Sequence, residues 1–180
     1  MKYLYLAAPP HTDAAACSAV RARMEREFGI PVKEMPMPGL QFAYDPRRGQ
    51  YASIPILQLL VRLCPADALK LLAFTDRDLF IPVLTFVFGH AQLDGRVAVV
   101  SFARLRQEFY GLAANRAVFL ERACKEALHE AGHTFGLVHC ADRTCAMSLA
   151  TGVRQIDLKH AAFCAACAAR LARRKEKECS

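Results

Sequence analysis

His129, Glu130 and His133 stand in the run His129-Glu130-Ala131-Gly132-His133, and His139 follows six residues later. Two histidines four apart on a helix share a face, so both imidazoles can aim at one ion. Glu130, next to the first of them, can reach a water at that ion without ligating it. This short pattern fixes only three positions, and a polar helical surface could carry the same letters. The extension argues against that. Gly136 comes three residues after His133, and His139 three after Gly136. Glycine adopts the left-handed conformation that ends a helix and turns the chain sharply, which would bring His139 back as a third ligand. Three neutral imidazoles with an open fourth position make a catalytic zinc site rather than a structural one. The chemistry this predicts is hydrolysis, with Glu130 as the general base.

A second set of ligands lies just beyond. Cys140 and Cys145 are separated by four residues, and Cys164 and Cys167 by two. Two short loops can each give a pair of thiolates to a tetrahedral ion, and four thiolates leave no open position. The expectation is therefore two zinc ions per chain, one catalytic and one structural. His139 and Cys140 are neighbours, so they would serve different ions and fix the loop between the two sites. Cys17, Cys64, Cys124 and Cys179 show no ligand spacing and read as ordinary thiols.

The elements that must position these groups can be read from periodicity and punctuation. The N-terminal part alternates strands and helices in the α/β manner. An apolar opening run is a first strand, and Thr12 or Asp13 caps a helix to Phe28 with Gly29 as its stop. Residues 30–33 read as a short strand, 35–48 as loop, 53–63 as a helix, and 70–75 as a buried strand. Two further apolar runs, Val83–Phe88 and Val97–Ser101, flank Asp94-Gly95, a strong hairpin turn signal. They should pair antiparallel, and Pro82 suits the first of them to a sheet edge. A long helix is expected from Asn115 to Thr134, ending at Gly136, and a last one from Asp157 to Lys175. No linker is long enough to separate domains. The chain is read as one domain, with residues 1–136 as a larger lobe and 137–180 as a smaller one.

Composition narrows the function classes. One hundred and eighty residues with 54% hydrophobic content can bury a substantial core. No apolar run approaches the ~20 residues needed to span a bilayer, and the opening run is too short for a typical export signal. A reducing cytoplasm is the expected compartment, where clustered cysteines point to metal rather than disulfides. The net charge of +7 raises the question of nucleic acid. Much of the excess sits in the tail at Arg170, Arg173, Arg174, Lys175 and Lys177, and no aromatics interleave with those bases. Such a run reads as a solvated helix end rather than a stacking platform. Two alternatives to hydrolysis remain, a catalytically weak zinc-dependent peptide binder and a zinc-containing nucleic-acid adaptor. Neither explains why a glutamate and three histidines share one constellation.

From His129 to Cys167 the sequence HEAGHTFGLVHCADRTCAMSLATGVRQIDLKHAAFCAAC closely resembles the archaemetzincin signature. That family joins the long zinc motif to a cysteine directly after the third histidine. A second cysteine, a methionine two residues on, an aspartate and Phe-Cys-x-x-Cys follow, here Cys145, Met147, Asp157, Phe163, Cys164 and Cys167. The resemblance implies a zinc metalloprotease acting on peptide or protein substrates. It implies a metzincin-like fold, with a mixed, mostly parallel twisted sheet and an antiparallel edge strand, above a small zinc-stabilised C-terminal lobe. Met147 falls where metzincins carry the methionine beneath the metal. The edge strand, residues Val83, Leu84, Thr85, Phe86, Val87 and Phe88, is implied to line the cleft and pair with an extended substrate. Some metzincin branches place a zinc-binding tyrosine two residues after that methionine; Leu149 stands there, so none is expected. Asp157 is read as a cap of the last helix rather than a catalytic acid. The identity of the substrate and the oligomeric state are not readable.

Overall fold

Alternating side chains on three strands decide the layers. Strands β1 (Tyr3–Ala8), β5 (Ala68–Thr75) and β8 (Val97–Ser101) lie inside one sheet and are apolar on both faces, as buried parallel strands require. Leu4, Leu6, Leu72, Phe74, Ala98 and Val100 face one core, while Tyr5, Ala7, Leu71, Ala73, Val97 and Val99 face another. A computed structural model describes residues 2–179, without the side chain of Cys179, so Met1 and that thiol lie outside the described residues.

The remaining elements follow in chain order: α1 (Ala14–Phe28), β2 (Val32–Pro36), β3 (Tyr44–Asp45), β4 (Gln50–Ala52) and α2 (Ser53–Leu63) come before β5. Then come β6 (Leu79–Phe80) and β7 (Gly89–Ala91) before β8, and α3 (Arg116–Thr134), α4 (Val153–Leu158) and α5 (Ala165–Cys179) after it. The main sheet has the order β2-β1-β5-β8-β7, parallel throughout except for β7 at its edge. A small sheet, β3-β4-β6, sits beside it. Helices α1 and α3 pack on one face of the main sheet and α2 on the other. The mixed α/β architecture is the expected one. No helix among the described residues is long and apolar enough to cross a membrane.

Local signals set most boundaries. Asp13 caps α1, its Oδ1 accepting from the Ala16 N–H at 2.9 Å, and Gly29 closes the helix at φ +63°. Asn115 caps α3 in the same way, accepting from the Val118 N–H at 3.1 Å. At the other end Gly136 has φ +78°, and the Leu137 and Gly136 N–H groups donate to the carbonyls of Gly132 and His133. The buried ammonium of Lys70 closes the same helix end, donating to the Thr134 carbonyl at 2.9 Å and pairing with Glu178 of α5. The basic tail also docks α5: Arg174 pairs with Asp94, and Lys175 donates to the Phe28 carbonyl that ends α1.

Three expectations need correction. Residues 83–88 are not a strand. The hairpin does form around Asp94-Gly95, but its register places Phe88 opposite Ser101, the last residue of β8. Residues before Phe88 therefore run past the end of their partner, and the edge strand is β7 instead. Val87 makes only an isolated bridge to Leu79, and Val83 is 83% exposed. The last helix does not begin at Asp157. That residue lies in α4, where its carboxylate takes both Nε and Nη2 of Arg122 at 2.7 and 2.8 Å. The chain between α4 and α5 is non-helical and tied down, the His160 N–H donating to the Thr144 carbonyl and the Ala162 carbonyl accepting from the Ala146 N–H. Finally, the short strand expected at 30–33 runs from Val32 to Pro36, and the segment read as loop carries β3.

Asp13 gives the fold an acid-sensitive joint. Besides capping α1 it pairs with Arg106 on Oδ2 and takes two bonds from Arg116 of α3. Bonding to Arg116 holds its carboxyl well below the usual carboxylate range, against an opposing effect of burial, with help from the Ala16 N–H and Arg106. A depressed folded-state value means stability that is present above the unfolded pKa of about 3.9 and lost as pH falls through the folded one. Asp13→Asn keeps a cap oxygen but cannot ionise. Urea melts should show it less stable than the parent at pH 7, with the gap closing below about pH 4. A gap independent of pH would show that the ion pairs contribute nothing.

Candidate functional site

Helix α3 carries most of the site. It is buried nearly all round from Arg122 to Gly132, because it lies between the sheet and the C-terminal segment. His129 and His133 project from one face, and the turn at Gly136 returns His139 to them. Their ligand-capable nitrogens lie within 4.8 Å of one another. The Nδ1 atoms of His129 and His133 sit 2.9 and 2.8 Å from the carbonyls of Ala146 and Leu137. A carbonyl can only accept, so both Nδ1 atoms carry the proton and both Nε2 atoms are bare. Those bare nitrogens face each other at 3.1 Å with no proton to share. Two imidazoles on a tetrahedral zinc at ~2.0 Å would sit about 3.3 Å apart, so the residues fit a zinc ion. Burial pushes all three histidines below their ordinary value, His129 furthest, which keeps them in the neutral form that ligates metal.

Glu130 lies between the ligands in sequence but projects beside them, and its carboxylate accepts no hydrogen bond from any of the described residues. Burial pushes that carboxyl well above its usual range, with the charge of Glu126 adding to the effect. A cation at the imidazoles opposes such a shift. The backbone of Gly89, the first residue of β7, packs directly on it: a Cβ there would meet Glu130 Cγ and Oε1 at 2.5 Å. Met147 is fully buried against α3, filling the space that Gly132 leaves, since a Cβ on Gly132 would collide with its sulfur.

The four cysteines Cys140, Cys145, Cys164 and Cys167 also converge, with sulfurs within 4.8 Å of one another. Cys140 Sγ and Cys164 Sγ are 3.8 Å apart, far longer than a disulfide. Two thiolates ~2.3 Å from a tetrahedral zinc lie about 3.8 Å apart, so this set also fits the ion. A backbone bond from Cys167 holds the Cys164 thiol below its ordinary value, while burial pushes Cys145 and Cys167 up. The Cys164 N–H donates to Cys145 Sγ at 3.3 Å. The turn Cys145–Ser148 joins the two clusters: Ala146 orients His129, and the Met147 carbonyl accepts from the Cys140 N–H at 2.9 Å. Cys17, Cys64 and Cys124 are free and apart from these sets, and burial pushes the Cys17 thiol up to about 11.

A cavity of ≈ 530 Å³ opens over the histidines. Of the segment expected to line it, Leu84, Thr85, Phe86, Val87 and Phe88 do so and Val83 does not. The carbonyls of Leu84 and Thr85 are taken by Arg48, and Gln50 also donates to Thr85, so this rim is held by side chains rather than by a ladder. Sequence reading missed Gly89, Glu126 and Lys159. Gly89 had a signal, since a glycine within a strand often marks a close backbone approach. Glu126 had one too, four residues before Glu130 on the same face. Lys159 had none.

Gly89→Ala should push Glu130 off its position. Hydrolysis should fall roughly 10- to 100-fold, because misplacement of about 1 Å costs that much. Zinc content should stay unchanged, read by elemental analysis beside the assay. Full activity in this variant would mean that the glycine contact does not set the glutamate's position.

Comparison with known proteins gives consistent matches. The profile of peptidase family M54 matches residues 44–173. An archaemetzincin of Methanocaldococcus jannaschii is 43% identical over 130 residues, covering 72% of this chain and 70% of the relative. One from Halobacterium salinarum is 38% identical over 162 residues, covering 88% and 91%. The crystal structure of the Methanopyrus kandleri archaemetzincin superposes with a TM-score of 0.86 at 33% identity, covering 97% of this chain and 96% of that one. A zinc-dependent peptidase from Methanocorpusculum labreanum gives 0.85 at 30% identity, covering 93% and 99%.

Proposed function

This chain belongs to peptidase family M54, the archaemetzincins, and is a zinc metallopeptidase; from that premise we propose that His129, His133 and His139 hold its catalytic zinc and Glu130 moves the proton. The observation that carries this reading is the pair of bare Nε2 atoms facing each other at 3.1 Å. Neutral imidazoles in that arrangement call for a cation. A zinc ion bound there supplies a Lewis acid that acidifies water and polarises the scissile carbonyl. Glu130 takes the proton of the attacking water and delivers it to the leaving amine. The Gly89 backbone packs against the glutamate and limits where it can go, and Ala146 and Leu137 fix the ring tautomers.

Among the described residues the outer side of β7 pairs with no strand of the main sheet, and an extended peptide can add to it through main-chain hydrogen bonds. Cys140, Cys145, Cys164 and Cys167 hold a second, structural zinc. It stabilises residues 137–180 as a small lobe against the larger lobe 1–136. A reducing, cytoplasmic setting suits these free thiols.

The test combines a metal count with a digest. Elemental analysis of protein purified without chelators should give two zinc ions per chain, with the four clustered thiols protected from alkylation in the native state. Mass spectrometry of a peptide library should reveal cleavage products. One zinc with all four thiols freely alkylated would remove the structural site, and no cleavage by fully loaded protein would remove the proposed reaction.

A further inference from the structure

The cavity wall beside Glu130 carries a buried ion pair with no part in the chemistry described so far. Glu126 lies one helical turn before Glu130 on the same face of α3, lines the cavity, and is 3% exposed. Lys159, just beyond α4 and 2% exposed, donates to Glu126 Oε1 at 2.9 Å. The second oxygen, Oε2, makes no hydrogen bond among the described residues. Since no buried side-chain oxygen among the described residues lacks a partner, that atom opens on the cavity. Buried ion pairs add little to stability compared with apolar residues of the same shape, so stability alone is a weak reason for this one.

Its surroundings suggest a better reason. Phe88, Leu149 and Ala150 supply apolar wall in the same cavity. The polar side chains of Thr151 and His90 are engaged elsewhere, with Gln155 and Ser53. Glu126 Oε2 is therefore an accepting group facing this apolar wall, next to Glu130. Its charge is already balanced by Lys159. A cationic substrate tip would add an uncompensated charge beside that ammonium and the zinc. An anionic tip would meet two carboxylates.

We propose that Glu126, held and neutralised by Lys159, is a specificity determinant that selects a substrate side chain with an apolar stem and a neutral hydrogen-bond donor at its tip. Glutamine and tyrosine have this form. The selected residue adjoins the scissile bond, because Glu126 is one turn of helix, about 5.4 Å, from Glu130. The proposal rests on the peptidase reading above, and its test separates the two.

The experiment compares the zinc-loaded parent with the double variant Glu126→Leu/Lys159→Met, which replaces the pair by apolar residues and leaves no unpaired charge. Peptides differing only beside the scissile bond (Gln, Leu, Lys, Glu) are assayed for kcat/KM. Calorimetry on Glu130→Gln protein, with and without the double change, reads binding of the same peptides independently of turnover. The parent should prefer glutamine, and the Gln/Leu ratio should fall roughly 10- to 100-fold in the double variant, in binding as in turnover. An unchanged ratio, or a parent preference for lysine or glutamate, overturns the proposal. Selective binding of the glutamine peptide without any cleavage supports the subsite and sinks the hydrolytic reading instead. If Glu126→Leu/Lys159→Met fails to fold, the parent itself decides: a peptide carrying the methyl-ketone isostere of glutamine, which cannot donate a hydrogen bond, must lose the preference over leucine, and an undiminished preference overturns the proposal.

Discussion

Glu130→Gln should keep the fold and its full zinc content while hydrolysis of any cleaved peptide falls by at least about 10²-fold, the usual loss for a general acid–base. The substitution is nearly isosteric, which matters because the Gly89 backbone leaves the side chain no room to grow. An amide cannot accept a proton from water at neutral pH, so the loss should appear in kcat rather than in peptide binding. Metal retention is expected because the carboxylate is absent from the converging set His129, His133 and His139. Elemental analysis, a thermal melt and single-turnover kinetics on one preparation test all three points. Unchanged turnover would remove the mechanism. Loss of one zinc would turn Glu130 from a base into a ligand.

The two metal clusters should part company under chelation and mutation. The histidine set opens onto a cavity of ≈ 530 Å³, so a chelator can reach an ion there. The cysteine set is closed, with Cys145 and Cys167 buried and the other two half-buried. Its binding energy is folding energy for the short segment after Gly136. Mild chelation should therefore release one zinc and abolish activity with a modest change in Tm. Cys164→Ser should do the reverse, lowering Tm by about 10 °C or more, with activity falling as a consequence. Cys140→Ser should damage both, because its neighbour His139 belongs to the histidine set and its N–H ties the loop to Met147. If Cys164→Ser left Tm in place while catalysis vanished, the cysteine cluster would belong to the active site.

The convergence of the three histidines was legible because its geometry is local. His129 and His133 share a helical face whatever packs around them, and Gly136 supplies the turn that returns His139. Asp13, Gly29 and Asn115 mark helix ends through bonds within a few residues. The cysteine pairs were readable for the same reason, each lying within one short loop.

What depended on distant partners was not readable. The edge strand was displaced to Gly89–Ala91 because β8 ends at Ser101, and an apolar run does not announce how far its partner extends. Asp157 was assigned to the wrong helix end, since its partner Arg122 lies 35 residues away. Lys159 meets Glu126 across 33 residues, and only the packing of α4 against α3 makes them a pair. Sequence by itself was enough to pick out the histidines and cysteines that converge, because helical periodicity and glycine turns act over one or two turns of chain. The tertiary structure alone decided which backbone presses on Glu130 and which charge stands behind the cavity wall, since both contacts join segments that nothing local brings together.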